Sequence, residues 1–134
     1  MDQFTSLKLY RPGSIGIVTK SGGLSSELMN IVSRCTDGCY KCYALGGDRY
    51  PCTTFIDIVT EYQNDPECKI IVLIGEIGGG DEYLVAEAIE SGKVTKPVIA
   101  WCIGTCSNMF SSDIQFGHAG AHASSVFETA IVIL

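Results

Sequence analysis

The residue types and spacings that point to chemistry centre on His118 and Glu76. His118 sits among small residues in Phe116-Gly117-His118-Ala119-Gly120-Ala121. Glu76 follows the apolar run of residues 69–74, inside Gly75-Glu76-Ile77-Gly78-Gly79. A carboxylate that accepts a hydrogen bond from one imidazole nitrogen fixes the tautomer and leaves the other nitrogen as a nucleophile. Such a nucleophile attacks phosphorus and becomes phosphohistidine. Ser21-Gly22-Gly23 and Gly46-Gly47-Asp48 are two further glycine loops. The N–H groups of Gly22 and Gly23, with the dipole of the helix they open, suit the charge of a phosphoryl group. Simpler roles exist for each position. His118 can be satisfied by a local hydrogen bond, Glu76 can tie down loop N–H groups, and Gly22 and Gly23 can serve packing alone. Asp48 and Arg49 read equally well as ligand contacts or as a structural turn. His122 reads as an incidental surface or capping residue, and Trp101 as core.

The elements that must position these residues alternate. Residues 1–13 form a lead-in, and residues 14–19 (SIGIVT) a short buried strand. Ser21 is the expected N-cap of a helix in which Leu24, Leu28, Ile31 and Val32 recur at helical spacing. Residues 40–45 give a second strand. Thr53 or Thr54 then caps a helix to about Asn64, with Phe55, Ile56, Val59 and Tyr62 apolar; Thr54 and Asp57 have capping-box spacing. The continuous apolar run of residues 69–74 (KIIVLI) reads as a strand covered on both faces. Asp81 is the expected cap of a third helix, residues 97–103 a fourth strand, and a last helix is expected from about Ala121–Ser125. Strand–helix alternation predicts a parallel α/β sheet with helices on both faces, and such sheets bind ligands at the carboxyl ends of their strands. Every glycine loop named above falls on that edge.

Composition narrows the function. At 134 residues the chain is one domain, and 46% hydrophobic against 18% charged residues is enough for a core and too apolar for disorder. A net charge of -6 offers no basic surface for nucleic acid or an anionic membrane. Seven cysteines without a secretory signal imply reduced thiols and a cytoplasmic setting. Cys39-Tyr40-Lys41-Cys42 has the C-x-x-C form but no second pair of matching spacing, so a metal reading is weak. No apolar run is long enough to span a bilayer. There is no Walker-type loop, no G-x-G-x-x-G and no carboxylate cluster for Mg²⁺, so nucleotide must bind elsewhere.

On these residues the sequence resembles the phosphohistidine domain shared by the succinyl-CoA synthetase α subunit and ATP-citrate lyase. Gly117-His118-Ala119-Gly120-Ala121 is similar to the family's active-histidine motif, Gly75-Glu76-Ile77-Gly78-Gly79 to its glutamate loop, and Gly46-Gly47-Asp48 to a third motif. Leu9-Tyr10-Arg11-Pro12-Gly13-Ser14, Ser21-Gly22-Gly23-Leu24-Ser25, Gly47-Asp48-Arg49-Tyr50-Pro51 and Trp101-Cys102-Ile103-Gly104-Thr105-Cys106 look more like the lyase branch. The resemblance implies a flavodoxin-like parallel sheet. It also implies a reaction in which citrate, coenzyme A and ATP give acetyl-CoA, oxaloacetate, ADP and phosphate. His118 would be the phosphorylated histidine and Glu76 the residue that orients it. Ser21, Gly22, Gly23, Gly47, Gly117 and Gly120 would bind phosphate or citrate, with no metal ligand in the chain. ATP and Mg²⁺ would sit on an ATP-grasp region, and most of the coenzyme A on a Rossmann-type domain. A citrate-synthase-like module would cleave citryl-CoA and build the homo-oligomer. None of these fits in 134 residues, and the family's last strand and helix are also missing. The expectation is therefore one phosphohistidine domain, C-terminally truncated and not active alone. A succinyl-CoA-synthetase-like ligase domain and a truncated non-catalytic domain are the alternatives.

Overall fold

The computed structural model describes residues 12–78, 80–103 and 118–119. The elements follow the expected alternation: β1 (Ile15–Thr19), α1 (Gly22–Cys35), β2 (Cys39–Ala44), α2 (Phe55–Asn64), β3 (Ile70–Glu76), α3 (Asp81–Glu90) and β4 (Val98–Ile103). The four strands are all parallel and lie in the order β2-β1-β3-β4. The expected lead-in up to residue 11, the loop before His118 and the last helix lie outside the described residues.

Strand alternation divides the core between the two faces of the sheet. Ile15 and Ile17 of β1 and Ile70 and Val72 of β3 meet Leu28, Met29 and Val32 of α1 on one face. Val18, Ile71 and Leu73 point the other way, onto Phe55, Ile58, Val59 and Tyr62 of α2 and Val85 and Ala88 of α3. This two-sided burial is why β1 and β3 read as unbroken apolar runs rather than as alternating ones. Ile31, expected on the buried stripe of α1, is exposed, and Met29 packs in its place.

Tyr62 locks α2 to the sheet. Its side chain is fully buried, and its hydroxyl lies 2.9 Å from the Ile17 carbonyl and 3.0 Å from that of Lys41, so it spans β1 and β2. The register between these strands shifts between Ile15 and Gly16, leaving Tyr40 as the extra residue on β2. Thr54 opens α2 as its spacing predicted: Asp57 Oδ2 accepts both the Thr54 N–H (2.9 Å) and its hydroxyl (2.7 Å).

Trp101 corrects the sequence reading: it is 55% exposed, not core. It lies on β4 beside Ile74, on the face that carries α1. α1 lies over β1 and β2, so among the described residues no helix reaches that far across the sheet.

Candidate functional site

The carboxyl ends of the strands carry the site. β3 does not stop at Ile74 as its apolar run suggested. It continues through Gly75 and Glu76, which pair with Cys102 and Ile103 of β4. Glu76 is therefore a strand residue whose direction is set by the pleat, not a loop residue. Its side chain is 15% exposed, with Oε1 buried and without a hydrogen-bond partner among the described residues. After Glu76, Gly78 adopts a φ of 90° that favours glycine, and the chain turns toward α3.

His118 Nδ1 lies 2.7 Å from Glu76 Oε2. Where the carboxylate accepts, Nδ1 carries the hydrogen, and in that neutral tautomer the ring's lone pair is on Nε2. The histidine side chain is 41% exposed, so the pair is open on the imidazole side and closed on the carboxylate side. Gly47 backs the ring. A Cβ at that position would overlap Cβ, Cγ and Nδ1 of His118, so the loop after β2 can pass only as glycine. Gly47 thus forms a wall of the histidine's seat.

The start of α1 supplies the polar rim. Ser21 is its N-cap, accepting the Leu24 N–H at 3.3 Å, and its own N–H donates to Thr19 Oγ1 at 2.9 Å. The fourth N–H of the turn, on Ser25, goes to the Ser21 carbonyl. Gly22 and Gly23 lie at the positive end of the helix dipole. A Cβ built on either meets nothing within 4 Å among the described residues. Packing against the described residues therefore does not explain these two glycines, and there is room above them in that part of the molecule. Ser21, Leu24, Thr19, Lys20, Ile74, Gly75, Glu76, Ile103 and His118 line one pocket of about 250 Å³. The structure thus brings together His118, Glu76, Ser21 and Gly47, with Gly22 and Gly23 at the helix start beside the pocket. Gly117 and Gly120 lie outside the described residues.

Two charged residues that the sequence reading did not single out stand beside the pocket. Lys20 Nζ is 3.5 Å from Glu82 Oε1 and 3.7 Å from Asp81 Oδ2, and lies over the Phe55 ring. Asp81 was the expected cap of α3. It is instead the first helical residue, after Gly80, and it faces Lys20. Glu82 is buried, and burial pushes its carboxyl above the usual range, against the downward pull of Lys20 and of the Glu82 and Glu76 N–H groups. Burial likewise pushes the nearby Cys102 thiol up to about 11. The one available signal for Glu82 was a carboxylate in the first turn of a helix that follows a glycine loop; nothing in the spacing says that it turns inward.

The C-x-x-C pair lies on β2, and both thiols are pushed up by burial, Cys39 to about 12 and Cys42 to about 11. Such thiols are poor nucleophiles and poor metal ligands at neutral pH. No group of three or more His, Cys, Asp or Glu side chains is placed to hold a metal among the described residues. No helix among them is long and apolar enough to cross a membrane. A larger groove of about 500 Å³ lies between α2 and α3, lined by Ile56, Gln63, Leu84, Glu87 and Lys93 among others. It holds no arrangement of nucleophile and orienting group.

The carboxyl edge of this parallel α/β sheet thus sets His118, paired with Glu76, beside the N-terminus of α1. A family model described as CoA-ligase matches residues 18–131, and the chain belongs to that family. Within it the similarity is to ATP-citrate synthases. ATP-citrate synthase subunit 1 of Sordaria macrospora is 60% identical over 97% of the chain, and human ATP-citrate synthase 56% identical over 98%. The structure of ATP citrate lyase from Methanothrix soehngenii in complex with citrate and coenzyme A superposes with a TM-score of 0.94 at 47% identity over 97% of the chain. The resemblance read from the loop motifs thus holds along nearly the whole chain. The chain spans 19%, 12% and 21% of these three proteins, respectively.

Proposed function

We propose that this chain is the phosphohistidine domain of an ATP-citrate synthase reaction, with His118 as the phosphoryl carrier. The observation that carries this reading is the 2.7 Å contact between His118 Nδ1 and Glu76 Oε2, which leaves the lone pair on Nε2. In the proposed sequence Nε2 bonds to the γ-phosphorus of ATP as the bond to the β-phosphate oxygen breaks, and ADP leaves. A citrate carboxylate oxygen then takes the phosphoryl group from Nε2 and regenerates the neutral imidazole. The coenzyme A thiolate displaces phosphate from citryl phosphate, and citryl-CoA is cleaved to acetyl-CoA and oxaloacetate.

Each residue has a defined part. Glu76 holds the tautomer and balances positive charge that develops on the ring during attack. The N–H groups at Gly22 and Gly23, with the dipole of α1, stabilise the transferred phosphoryl oxygens. Their missing side chains give those oxygens, and the citrate group that follows them, room to approach. Ser21 fixes the first turn, and Gly47 keeps the ring against Glu76. Gly117 and Gly120 are assigned to phosphate or citrate contact by the resemblance alone. ATP and Mg²⁺ would be held by an ATP-grasp region and most of the coenzyme A by a Rossmann-type domain, in the same or another chain. A homo-oligomer and a cytoplasmic setting belong to the same proposal.

Incubation with γ-labelled ATP and Mg²⁺, in the presence of an ATP-grasp polypeptide, is expected to place an acid-labile, base-stable label on His118. The label is expected to discharge with citrate and not with succinate, which separates this reading from a succinyl-CoA-synthetase-like ligase. Label that persists in His118→Ala, or no label on the folded chain with its nucleotide partner present, would refute the assignment.

A further inference from the structure

We propose that Glu82 and Lys20 form a positioning pair that aims Glu76 at His118. Glu82 Oε1 accepts the backbone N–H of Glu76 at 3.1 Å and lies 3.5 Å from Lys20 Nζ. One carboxylate oxygen thereby ties together the end of β1, the end of β3 and the first turn of α3. The tie lies on the opposite side of the strand from the Glu76 side chain. Gly75 sits between the two, and a Cβ there would lie 2.5 Å from Glu82 Oε1. Gly75 is thus the seat of the Glu82 carboxylate, as Gly47 is the seat of the His118 ring.

Helix capping does not account for this arrangement. A glutamate in a first turn gains dipole energy without having to be buried. The Glu82 side chain is only 2% exposed, and its Oε2 is buried with no hydrogen-bond partner among the described residues. Burying a carboxylate with an orphan oxygen is costly, and only the contacts made by the other oxygen offset it. What it holds is the backbone N–H of the residue that orients His118. A rotation of that peptide would swing the Glu76 carboxylate away from Nδ1. The pair matters for catalysis only if the phosphohistidine reading is right, so the primary measurement reads the ring and not the reaction.

The experiment is nitrogen NMR of His118 in the folded 134-residue chain, comparing Glu82→Met, which has no acceptor, with Glu82→Gln, which keeps one. Glu82→Met is expected to lose the dominance of the Nδ1–H tautomer, and Glu82→Gln to retain it. Unchanged tautomers in both variants would overturn the pair. Loss in both would show that the charge facing Lys20 is needed as well as the acceptor, and would support the pair. If Glu82→Met does not fold, the unsubstituted chain decides. A scalar coupling across the hydrogen bond, from the Glu76 amide nitrogen to the Glu82 carboxyl carbon, is expected, and its absence with rapid exchange of that amide overturns the proposal. In a phosphorylation assay the same Met variant is expected to slow label uptake roughly 10–100-fold, the range for orienting groups one step removed from the reacting centre. Absence of label in the unsubstituted chain would count against the phosphohistidine role and leave the tautomer result standing.

Discussion

Glu76 Oε2 and His118 Nδ1, 42 positions apart in sequence, lie 2.7 Å from one another. The carboxylate end of this contact is anchored in a strand and mostly buried, and the imidazole end faces an open pocket. Glu76→Gln keeps the shape and removes the charge. It is expected to slow phosphoryl uptake by His118 on the order of 10²–10⁴-fold, as when the group that holds a catalytic imidazole is neutralised. Rapid-quench labelling measures it. A rate within threefold of the parent would mean that Glu76 is a structural partner only.

Gly47→Ala adds one methyl group where the His118 ring already stands. Either the loop after β2 or the imidazole must move. The expected result is loss of the His118–Glu76 hydrogen bond and about 1–3 kcal/mol of destabilisation, the usual cost of overpacking. Urea unfolding and the His118 ring nitrogen shifts check both parts. Gly22→Ala is the control, since a Cβ there meets nothing among the described residues. It is expected to be neutral to slightly stabilising in unfolding, and to impair phosphoryl transfer if the space serves a ligand.

Tyr62→Phe removes a hydroxyl that bridges the Ile17 and Lys41 carbonyls inside the core. The single hydroxyl hydrogen shared between a buried and a part-buried carbonyl is lost, so a cost of about 1–3 kcal/mol is expected. The chain should remain folded, because the ring packing is kept. A change below about 0.5 kcal/mol in urea melts would show that the carbonyls find other donors.

Acid should unfold the chain through its paired carboxylates. Asp57 is held below its ordinary value by the Thr54 hydroxyl and N–H, and Asp65 by the Tyr40 hydroxyl first, then the Glu67 N–H. Groups lowered in the folded state contribute stability above their unfolded values, about 4, and lose it as the pH falls through their folded values. Asp57→Asn and Asp65→Asn are therefore expected to flatten the loss of stability below pH 4. Glu82 has the opposite sign. Its folded value is raised, so its contribution is fully present below the unfolded value and is lost as the pH rises through the folded one. The stability of Glu82→Gln relative to the parent should grow from pH 4 toward neutral. Urea melts across this range measure both, and a constant difference between Glu82→Gln and the parent would contradict the buried-carboxylate assignment.

Much of the architecture was legible because it is local. β-branched runs gave β1 and β3, Ser21 and Thr54 announced the starts of α1 and α2, and glycine loops marked where β1 and β2 stop. The boundaries that failed did so where a long-range contact overrode a local one. β3 runs on through Gly75 and Glu76 because β4 pairs with both. Asp81 gave up its capping position to face Lys20. Trp101 is apolar on a strand, yet its exposure depends on how far α1 reaches across the sheet.

The sequence by itself determined the order of elements, the edge of the sheet on which the loops gather, and the histidine and glutamate that meet there. Those follow from side-chain period, turn chemistry and the presence of titratable groups among glycines. Only the tertiary structure decided which glycines are steric and which are open. Gly47 and Gly75 are pressed by His118 and Glu82, whereas Gly22 and Gly23 face space. It also brought Lys20 and Glu82 into the site. A charged residue near a helix start has no sequence signature that tells whether it turns to solvent or inward, because that choice is set by what the neighbouring strand leaves unpaired.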